Sequence, residues 1–247
     1  MNDLVYGIRA ILESIEAGNE INKLMIQKGL QGDLMRELRQ AARESNLVIQ
    51  EVPKEKLNRI TSKNHQGAIC FVSPVSYYRI DTLLPMLFEE GKTPLLVILD
   101  NVTDVRNMGA IARTAMCANA HALIIPRQNS ATVTADAMKA SAGALATLPV
   151  CREPNLVDVV RYLQQSGVQV VAGTEKAEKA YWTADYTMPT AIVLGSEDVG
   201  ISTNVMRVVD ELVRIPIDSK PIDSLNVSVA TGILLFEAVK QRLLVGV

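Results

Sequence analysis

The stretch Leu95-Leu-Val-Ile-Leu-Asp-Asn-Val-Thr-Asp-Val-Arg-Asn-Met-Gly-Ala-Ile-Ala-Arg113 joins an apolar run to a polar loop and an amphipathic segment. Leu95–Leu99 has the pattern of a buried strand, and Asn107–Ala118 has the spacing of a helix. Similar pairs of apolar runs and amphipathic segments follow it along the chain. This alternation predicts an α/β fold with a parallel sheet that is covered on both faces.

Outward from this stretch, the chain divides into three parts. Residues 1–73 predict a small α/β domain, residues 74–93 a linker, and residues 94–247 a larger α/β domain. In the first part we expect helices at Tyr6–Glu16, Gly32–Glu44 and Lys54–Ile60, and strands at Lys23–Gln27, Leu47–Val52 and Ala68–Val72. The linker holds one candidate helix, Asp81–Phe88. In the last part we expect further strands at Ala122–Ile125, Val168–Ala172, Ala191–Leu194 and Leu212–Ile215, and further helices at Thr134–Ala144, Leu156–Gln165 and Asn226–Leu243.

Composition narrows the function classes. The net charge is −2, so any contact with nucleic acid must come from a local basic patch rather than from a basic protein. Aromatic residues make up only 4% of the chain, which leaves few candidates for stacking on RNA bases. Two histidines and three widely spaced cysteines give little support to a metal site or to Ser-His-Asp chemistry.

Targeting and nucleotide-binding patterns are missing from the sequence. We see no signal peptide and no apolar run near the ~20 residues that span a bilayer, so we expect a soluble cytoplasmic protein that does not bind membranes. Neither G-x-G-x-x-G after a first strand nor G-x-x-x-x-G-K-[ST] is present, so the common modes of dinucleotide and NTP binding lose support.

Two further polar clusters stand at the edges of apolar runs. Gly195-Ser-Glu-Asp-Val-Gly-Ile-Ser202 follows one predicted strand, and Ser224-Leu-Asn-Val-Ser-Val-Ala230 opens the last predicted helix. Each has an ordinary structural explanation as a turn or a helix cap. In α/β sheets, however, ligands bind where strands give way to loops and helices. The three clusters together therefore indicate one site.

The first cluster contains a candidate pair, Asn107 and Arg113. Asn107 can cap the helix, and Arg113 stands six residues further, with the alternative that the pair is only a cap and a surface charge. Gly109 fits that alternative poorly, because glycine inside a helix costs roughly 1 kcal/mol relative to alanine. A glycine there allows close approach by a ligand or by another backbone segment.

These clusters resemble the three motifs of the SpoU/TrmH family, RNA 2′-O-methyltransferases of the SPOUT class. Lys139-Ala-Ser-Ala-Gly-Ala144 is similar to a further family segment, and the resemblance is close over residues 94–247. Val5-Tyr-Gly-Ile8 and Asn64-His-Gln-Gly67 resemble the N-terminal substrate-binding domain of RlmB-type members. The resemblance implies a deep trefoil knot in the C-terminal domain, a homodimer, no metal, and S-adenosyl-L-methionine as cofactor.

The same resemblance implies roles for individual residues. The implied catalytic residues are Arg113, Asn107, Glu197, Ser224 and Asn226. The implied cofactor-binding residues are Thr174, Gly195, Ile215 and Leu225. Because arginine is never neutral in proteins, we expect Arg113 to hold a phosphate or the developing alkoxide rather than act as a base. We expect Asn107 to fix Arg113 and the ribose. We expect Glu197 to orient the side chain of either Arg113 or Asn107.

The chain departs from the family pattern in a few places. Val105 stands where proline is common, Asp198 replaces a usual glycine, and Ser219 replaces another. The loop Asp218–Asp223 is one residue longer than in RlmB-type sequences. We expect strain at Asp198 and Ser219 if their backbones need positive φ, and an effect on cofactor affinity.

The predicted activity is 2′-O-methylation of a ribose in RNA, with a guanosine of 23S rRNA as the first candidate. The alternatives are a tRNA ribose methyltransferase and a non-catalytic RNA-binding factor in ribosome assembly. The basic residues expected to contact RNA are Arg9, Lys28, Arg36 and Arg106. Their other explanation is a solvated helix face.

Overall fold

The protein is described here from a computed structural model, which defines residues 4–218 and 224–246. The chain divides into two compact units. One ends at Ser76 and also includes Thr132–Ala135, and the other comprises Tyr77–Ala131 and the chain from Asp136 onward. The predicted limits of the linker, residues 74–93, stay a prediction.

The smaller unit is a four-stranded sheet in the order β1-β4-β2-β3 with helices packed on it. β4 pairs antiparallel with β1 and β2, while β2 and β3 run parallel. Helices α1 and α2 bury Ile11 and Leu38 against one face, and α3 buries Leu57 against the other. The elements are β1 (Leu4–Tyr6), α1 (Ile8–Glu16), β2 (Ile21–Gln27), α2 (Asp33–Glu44), β3 (Ile49–Val52), α3 (Lys54–Ile60) and β4 (Ala68–Val72).

The two N-terminal segments that resemble the family contact each other. Gln66, which has a positive φ of 51°, accepts the backbone N–H of Ile8 at its Oε1, 3.2 Å away. The buried His65 accepts the Gly67 N–H at Nδ1, and its Nε2 lies 2.8 Å from the Asn58 Oδ1. These contacts join the start of α1 to the start of β4.

The larger unit is a six-stranded parallel sheet in the order β10-β8-β9-β5-β6-β7. This confirms the predicted fold class. The strands are β5 (Leu95–Asp100), β6 (Ala122–Pro126), β7 (Val150–Glu153), β8 (Gln169–Gly173), β9 (Thr190–Gly195) and β10 (Glu211–Val213). The helices are α4 (Ile80–Glu89), α5 (Val105–Cys117), α6 (Ala135–Ala140), α7 (Leu156–Gln165), α8 (Thr203–Met206) and α9 (Val227–Val245).

Strand β5 is buried along its whole length, and its neighbour β9 is buried at all but its last residue. Leu96 and Ile98 of β5 point into a core that also receives Leu84 of α4 and Val160 of α7. The candidate helix of the predicted linker therefore packs within the core of this unit. Continuous apolar strands such as β5 are typical of parallel sheets covered on both faces.

Several predicted elements differ from the observed ones. The helix expected at Thr134–Ala144 is shorter, and a separate 3₁₀ turn occupies Ala144–Ala146. The strands at Leu4–Tyr6 and Val150–Glu153 and the short helix α8 were missed. Among the described residues, no helix combines the length and the apolarity that a membrane crossing needs.

Candidate active site

The three polar clusters meet at the carboxyl edge of the larger sheet. β5 and β9 are neighbours, and their register places Asp100 opposite Gly195. The loops that follow these two strands therefore start side by side. The start of α9 completes the arrangement, because Asn226 contacts Asn107, in the helix that follows the first loop, and Glu197, in the second loop.

Asp104, not Asn107, caps α5. The Asp104 carboxylate accepts the Arg106 N–H at 2.7 Å, and the helix begins at Val105. The predicted capping role of Asn107 is therefore wrong, since Asn107 lies inside the first turn. Its amide is left available for contacts outside the helix.

Asn107, Glu197 and Asn226 form one hydrogen-bonded network. The Asn226 Nδ2 donates to Asn107 Oδ1 at 3.0 Å and to Glu197 Oε1 at 2.5 Å. The Asn107 Nδ2 and the Val227 N–H donate to the same carboxylate oxygen, each at 3.3 Å. One carboxylate thus gathers donors from the first and third motifs, although these residues lie up to 119 positions apart.

Asn226 also caps α9 through its other amide atom. Its Oδ1 accepts the Ser228 N–H at 3.0 Å and the Ser228 hydroxyl at 2.5 Å. Both sides of the amide are thereby assigned, with the oxygen toward the helix and the nitrogen toward Glu197. Asn226 ties the start of the longest helix to the polar network.

The second motif forms a tight turn with Glu197 near its apex. The Gly200 N–H donates to the Ser196 carbonyl at 2.9 Å, and the Val199 N–H donates to the Ser196 hydroxyl at 3.2 Å. A Cβ at Gly195 would lie 2.1 Å from the Gly200 carbonyl carbon, so only glycine fits there. Positive φ is found at Gly200, not at Asp198, which corrects the expectation of strain at Asp198. Ser219 lies outside the described residues.

Gly109 owes its place to helix packing. A Cβ on Gly109 would lie 2.5 Å from the Ala140 Cβ and 3.0 Å from the Ala137 carbonyl oxygen. The glycine therefore lets the backbones of α5 and α6 approach closely. Of the two explanations that the sequence left open, a neighbouring backbone is the observed one.

A cleft opens between the second motif and the start of α9. The predicted cofactor residues Thr174, Gly195, Ile215 and Leu225 all line it. Its space, with the open mouth included, is about 690 Å³. Glu197 and Ser224 line it as well, so the catalytic and the cofactor candidates share one cleft.

The lining of this cleft fits S-adenosylmethionine. Apolar walls come from Leu194, Ile201 and Val227, and the described lining residues include two carboxylates, Glu175 and Glu197, but no lysine or arginine. Such a site favours a positively charged ligand with apolar parts. The turn at Gly195 brings backbone groups directly to its wall, which suits recognition through main-chain atoms.

Arg113 stands apart from the network. Its side chain is exposed and makes no hydrogen bond or ion pair with any residue that the structure describes. Six residues separate it from Asn107, which places it about 9 Å further along α5 and about 240° around the axis. Glu197 orients Asn107 and Asn226, and the expected contacts from Asn107 and Glu197 to Arg113 are not made within this chain.

The candidate RNA contacts are all on the surface. Arg9 and Lys28 are exposed, Arg36 pairs with Asp33, and Arg106 lies 3.8 Å from a carboxylate oxygen of Asp104. The first three belong to the smaller unit and Arg106 to the larger one. Within the described ranges, no group of three or more His, Cys, Asp or Glu side chains is placed to hold a metal.

Sequence reasoning missed Asp100. This buried residue, 6% exposed, accepts the Ser202 N–H at its Oδ2 at 2.7 Å. The only signal was a carboxylate directly after an apolar strand, which by itself fits a solvated loop. Glu175 was missed too, although it follows the predicted Thr174.

The comparisons with known proteins agree with this geometry. Residues 94–236 match the model of the SpoU rRNA methylase family, and residues 4–78 match the RNA 2′-O ribose methyltransferase substrate-binding model. The chain belongs to the SpoU rRNA methylase family. This confirms the family and the methyltransferase class that the three motifs indicated. The trefoil knot stays a prediction, and residues 219–223 of that region lie outside the described residues.

Individual relatives cover nearly the whole chain. It is 36% identical to the 23S rRNA (guanosine-2′-O-)-methyltransferase RlmB of Photorhabdus laumondii over 98% of this chain and 99% of the relative. It is 32% identical to a putative TrmH family tRNA/rRNA methyltransferase of Bacillus subtilis, with 99% and 98% covered. The crystal structure of AviRb from Streptomyces viridochromogenes in complex with AdoMet has a TM-score of 0.61 and 26% identity, with 97% and 90% covered.

Proposed function

We propose that this chain transfers a methyl group from S-adenosylmethionine to the 2′-hydroxyl of a ribose in RNA. One observation carries the proposal: the cleft that holds all four predicted cofactor residues also holds Glu197 of the Asn107–Glu197–Asn226 network. A methyl donor bound in this cleft lies beside fixed polar groups that can receive a ribose. The family membership and the relative that binds AdoMet support the same reading.

The chemistry asks more for positioning than for activation. When bound, S-adenosylmethionine supplies a methyl group that its sulfonium already makes electrophilic. In the transfer the ribose 2′-oxygen bonds to the methyl carbon, the carbon–sulfur bond breaks, and the hydroxyl proton is released. Alignment of two reactants in this way can be worth effective molarities of about 10⁵–10⁸ M.

We assign each polar residue a role that its contacts allow. Glu197 fixes the amides of Asn107 and Asn226, which leaves these side chains oriented at the rim of the cleft. Ser224 lines the cleft and can bind the ribose or the donor. Arg113 remains charged, so it binds a phosphate or the developing alkoxide, and the proton leaves to phosphate or water.

The position of Arg113 supports a homodimer. Val229, Phe236 and Leu243 of α9 recur every seven residues on one helix face and are 51%, 50% and 75% exposed. Met116, one turn after Arg113 on α5, is exposed too, and α5 packs against α9. We infer that a second copy covers this apolar surface, with Arg113 at its edge.

The target is a guanosine of 23S rRNA. Support comes from the N-terminal match to a substrate-binding domain and from the relative of that name. A tRNA ribose is the alternative substrate, and a ribosome-assembly factor without catalysis is the alternative class. On this reading Arg9, Lys28, Arg36 and Arg106 contact phosphates, and the protein acts in the cytoplasm, where rRNA is processed.

Three measurements test the activity. Mapping of 2′-O-methyl sites in rRNA and tRNA from cells that lack the protein is expected to show one lost site in 23S rRNA. Calorimetry with S-adenosylmethionine is expected to show binding to the wild-type protein, and no binding at millimolar ligand would favour the assembly factor. Arg113→Ala is expected to lose methyl transfer at saturating RNA.

The dimer has its own test. Phe236→Glu is expected to give a monomer in sedimentation, because it places a charge in the middle of the apolar stripe. Val48→Glu is the matched control, since Val48 is 58% exposed but belongs to the smaller unit. A wild-type protein that sediments as a monomer would remove the dimer from the proposal.

A further inference from the structure

One aromatic turn of the larger unit lies directly beside the cleft and has no part in the proposed chemistry. The 3₁₀ turn Tyr181–Thr183 follows Lys179 and Ala180, which run alongside Arg214. The Tyr181 N–H donates to the Arg214 carbonyl and the Arg214 N–H to the Lys179 carbonyl, both at 2.8 Å. The next residue after Arg214, Ile215, lines the cleft. The turn is therefore bonded to the segment that leads into the cleft wall at Ile215.

The turn exposes the only tryptophan of the chain. Trp182 is 52% exposed. Its ring packs edge-to-face on the ring of Tyr181, with the two ring centroids 5.0 Å apart and the two ring planes at 77°. A large aromatic ring left half in water loses the burial that usually stabilises tryptophan. In a chain with few aromatic residues, this exposure is the feature that the fold does not explain.

The backbone below Trp182 is rigid. The Thr183 hydroxyl donates to the Ala180 carbonyl at 2.8 Å, and the buried Tyr186 donates its hydroxyl to the Tyr181 carbonyl at 3.0 Å. Tyr186 is itself tied to α9, because its N–H donates to Gln241 at 2.9 Å. A ring on such a support is held out in a fixed place, which lowers the entropy cost of binding.

A cation lies on the backbone segment that is bonded to this turn. The Arg214 side chain is exposed and, among the described residues, it makes no ion pair. Lys179 nearby is paired with Glu211 at 2.8 Å, so Arg214 is the cation of this turn that remains available. An exposed aromatic ring and an arginine without an ion pair, carried by two hydrogen-bonded backbone segments, are groups that can bind single-stranded nucleic acid, by base stacking and by phosphate contact.

We propose that Trp182 and Arg214 hold an unpaired nucleotide that flanks the target ribose, with its base stacked on Trp182 and its phosphate on Arg214. This inference rests on the proposed function, because it takes RNA as the substrate. A protein partner explains the exposed ring but not its attachment to the wall of the methyl-donor cleft. The 2′-hydroxyl must enter that cleft from an accessible strand, which brings flanking bases to the same rim.

The single tryptophan makes the test direct. Full-length wild-type protein is titrated with a short single-stranded oligoadenylate while its intrinsic fluorescence is recorded. We expect the fluorescence to be quenched and Trp182 to become protected from acrylamide. The duplex of that strand with oligouridylate is expected to have a smaller effect at equal concentration, because its bases are already stacked on each other.

Variants separate stacking from other roles. Stacking on one aromatic side chain is worth about fivefold to a hundredfold in affinity, so Trp182→Ala is expected to weaken RNA binding and to raise KM for RNA by such a factor. Trp182→Phe is expected to retain most of the affinity. Phe88→Ala is the matched control, since Phe88 is an aromatic residue that is 38% exposed on α4 of this unit. Arg214→Ala is expected to reduce the salt dependence of binding by about one phosphate contact.

The outcomes are distinct. Suppose that the wild-type protein methylates RNA, that RNA does not change its Trp182 fluorescence, and that Trp182→Ala has the wild-type KM for RNA. The inference then fails and the proposed function stands. If Trp182→Ala changes sedimentation rather than RNA affinity, the turn contacts a second copy, and the inference is overturned. Loss of S-adenosylmethionine binding in the wild-type protein would instead remove the proposed function itself.

Discussion

The Asp100 carboxylate holds the far end of the Gly195–Ser202 segment through one hydrogen bond, from the Ser202 N–H to Asp100 Oδ2 at 2.7 Å. The near end is fixed by strand pairing, since Asp100 lies opposite Gly195 in the sheet. One buried residue of β5 thus lies against both ends of the turn that carries Glu197. The geometry of the second motif therefore depends on a residue of β5, the strand that precedes the first motif.

We predict that Asp100→Ala loosens this turn. The variant removes the acceptor of the Ser202 N–H, which should lower the free energy of unfolding by about 1–3 kcal/mol and weaken S-adenosylmethionine binding by about tenfold. Asp100→Asn keeps an acceptor oxygen, so its stability and its cofactor affinity should lie between those of the wild-type protein and Asp100→Ala. Urea denaturation and calorimetry measure both quantities. Wild-type cofactor affinity in Asp100→Ala would show that the turn needs no anchor.

Gly195→Ala is predicted to close the cleft at its wall. The new Cβ would lie 2.1 Å and 2.2 Å from backbone atoms of Gly200 and Ile201, which no side-chain movement relieves. We expect cofactor binding to be lost in calorimetry. Gly232→Ala is the control, because its Cβ meets only the Thr114 methyl at 3.5 Å and should stabilise α9 by about 0.5–1 kcal/mol. A Gly195→Ala protein with normal affinity would contradict the crowding seen here.

Glu197 is predicted to act through its charge and its single bonded oxygen. That oxygen accepts from Asn107, Asn226 and the Val227 N–H. Since charge-assisted bonds are roughly twice as strong as neutral ones, Glu197→Gln should lower kcat/KM by about tenfold and Glu197→Ala by more than about a hundredfold. Steady-state methyl transfer measures this. Equal losses in both variants would mean that the network contributes no positioning of its own.

The sequence predicted the elements whose signals are local. Leu95–Leu99 is a continuous apolar run and became β5, and Leu156–Gln165 became α7 with the same bounds. Val150–Glu153 escaped notice because Arg152 and Glu153 look exposed, whereas Glu153 is buried under the start of α4 and accepts the Ile80 N–H at 2.8 Å. A contact across 73 positions leaves no local pattern.

The site shows the same division. The motif residues Asn107, Glu197 and Asn226 were named in advance, yet their mutual bonds depend on strand order, which pairs β5 with β9. The cap of α5 was assigned to Asn107 because the apolar spacing placed the start of the helix there, whereas the observed cap is Asp104, a residue type that caps equally well. The partners of Arg113 could not be predicted, because none of them lies in the described part of this chain.

His121 is predicted to make stability depend on pH. Burial first, and then the charges of Lys92 and Arg242, hold the pKa of His121 below its ordinary value of 6.5, while Glu90 acts in the opposite direction. Its Nδ1 accepts the Leu95 N–H at 3.0 Å, which requires that nitrogen to be unprotonated. The unfolded chain therefore binds the proton at higher pH than the folded chain does. The free energy of unfolding should fall as pH drops below about 6.5, and level off once the folded histidine is protonated too.

A variant isolates this contribution. His121→Asn keeps an acceptor near the Nδ1 position but cannot take up a proton in this range. Urea denaturation of both proteins between about pH 7.5 and pH 5 should show a smaller decline in the variant. The difference between the two curves removes the effect of carboxylates, which titrate in both. Parallel curves would exclude His121 as the source.

Arg242 is predicted to be the strongest single attachment of α9 to the sheet. Its buried guanidinium donates to four backbone carbonyls, at distances of 2.9–3.0 Å. These acceptors are Tyr186, Thr93, Pro94 and Met188.

Arg242→Lys keeps the charge but cannot match this planar fork, so several carbonyls lose their donor. We expect the free energy of unfolding to fall by about 2–4 kcal/mol in urea denaturation. Lys240→Arg, on the exposed side of the same turn, should change it by less than about 0.5 kcal/mol. Because α9 also supplies Asn226, we expect Arg242→Lys to bind the cofactor more weakly as well. Unchanged cofactor binding would show that the start of α9 is held independently of its end.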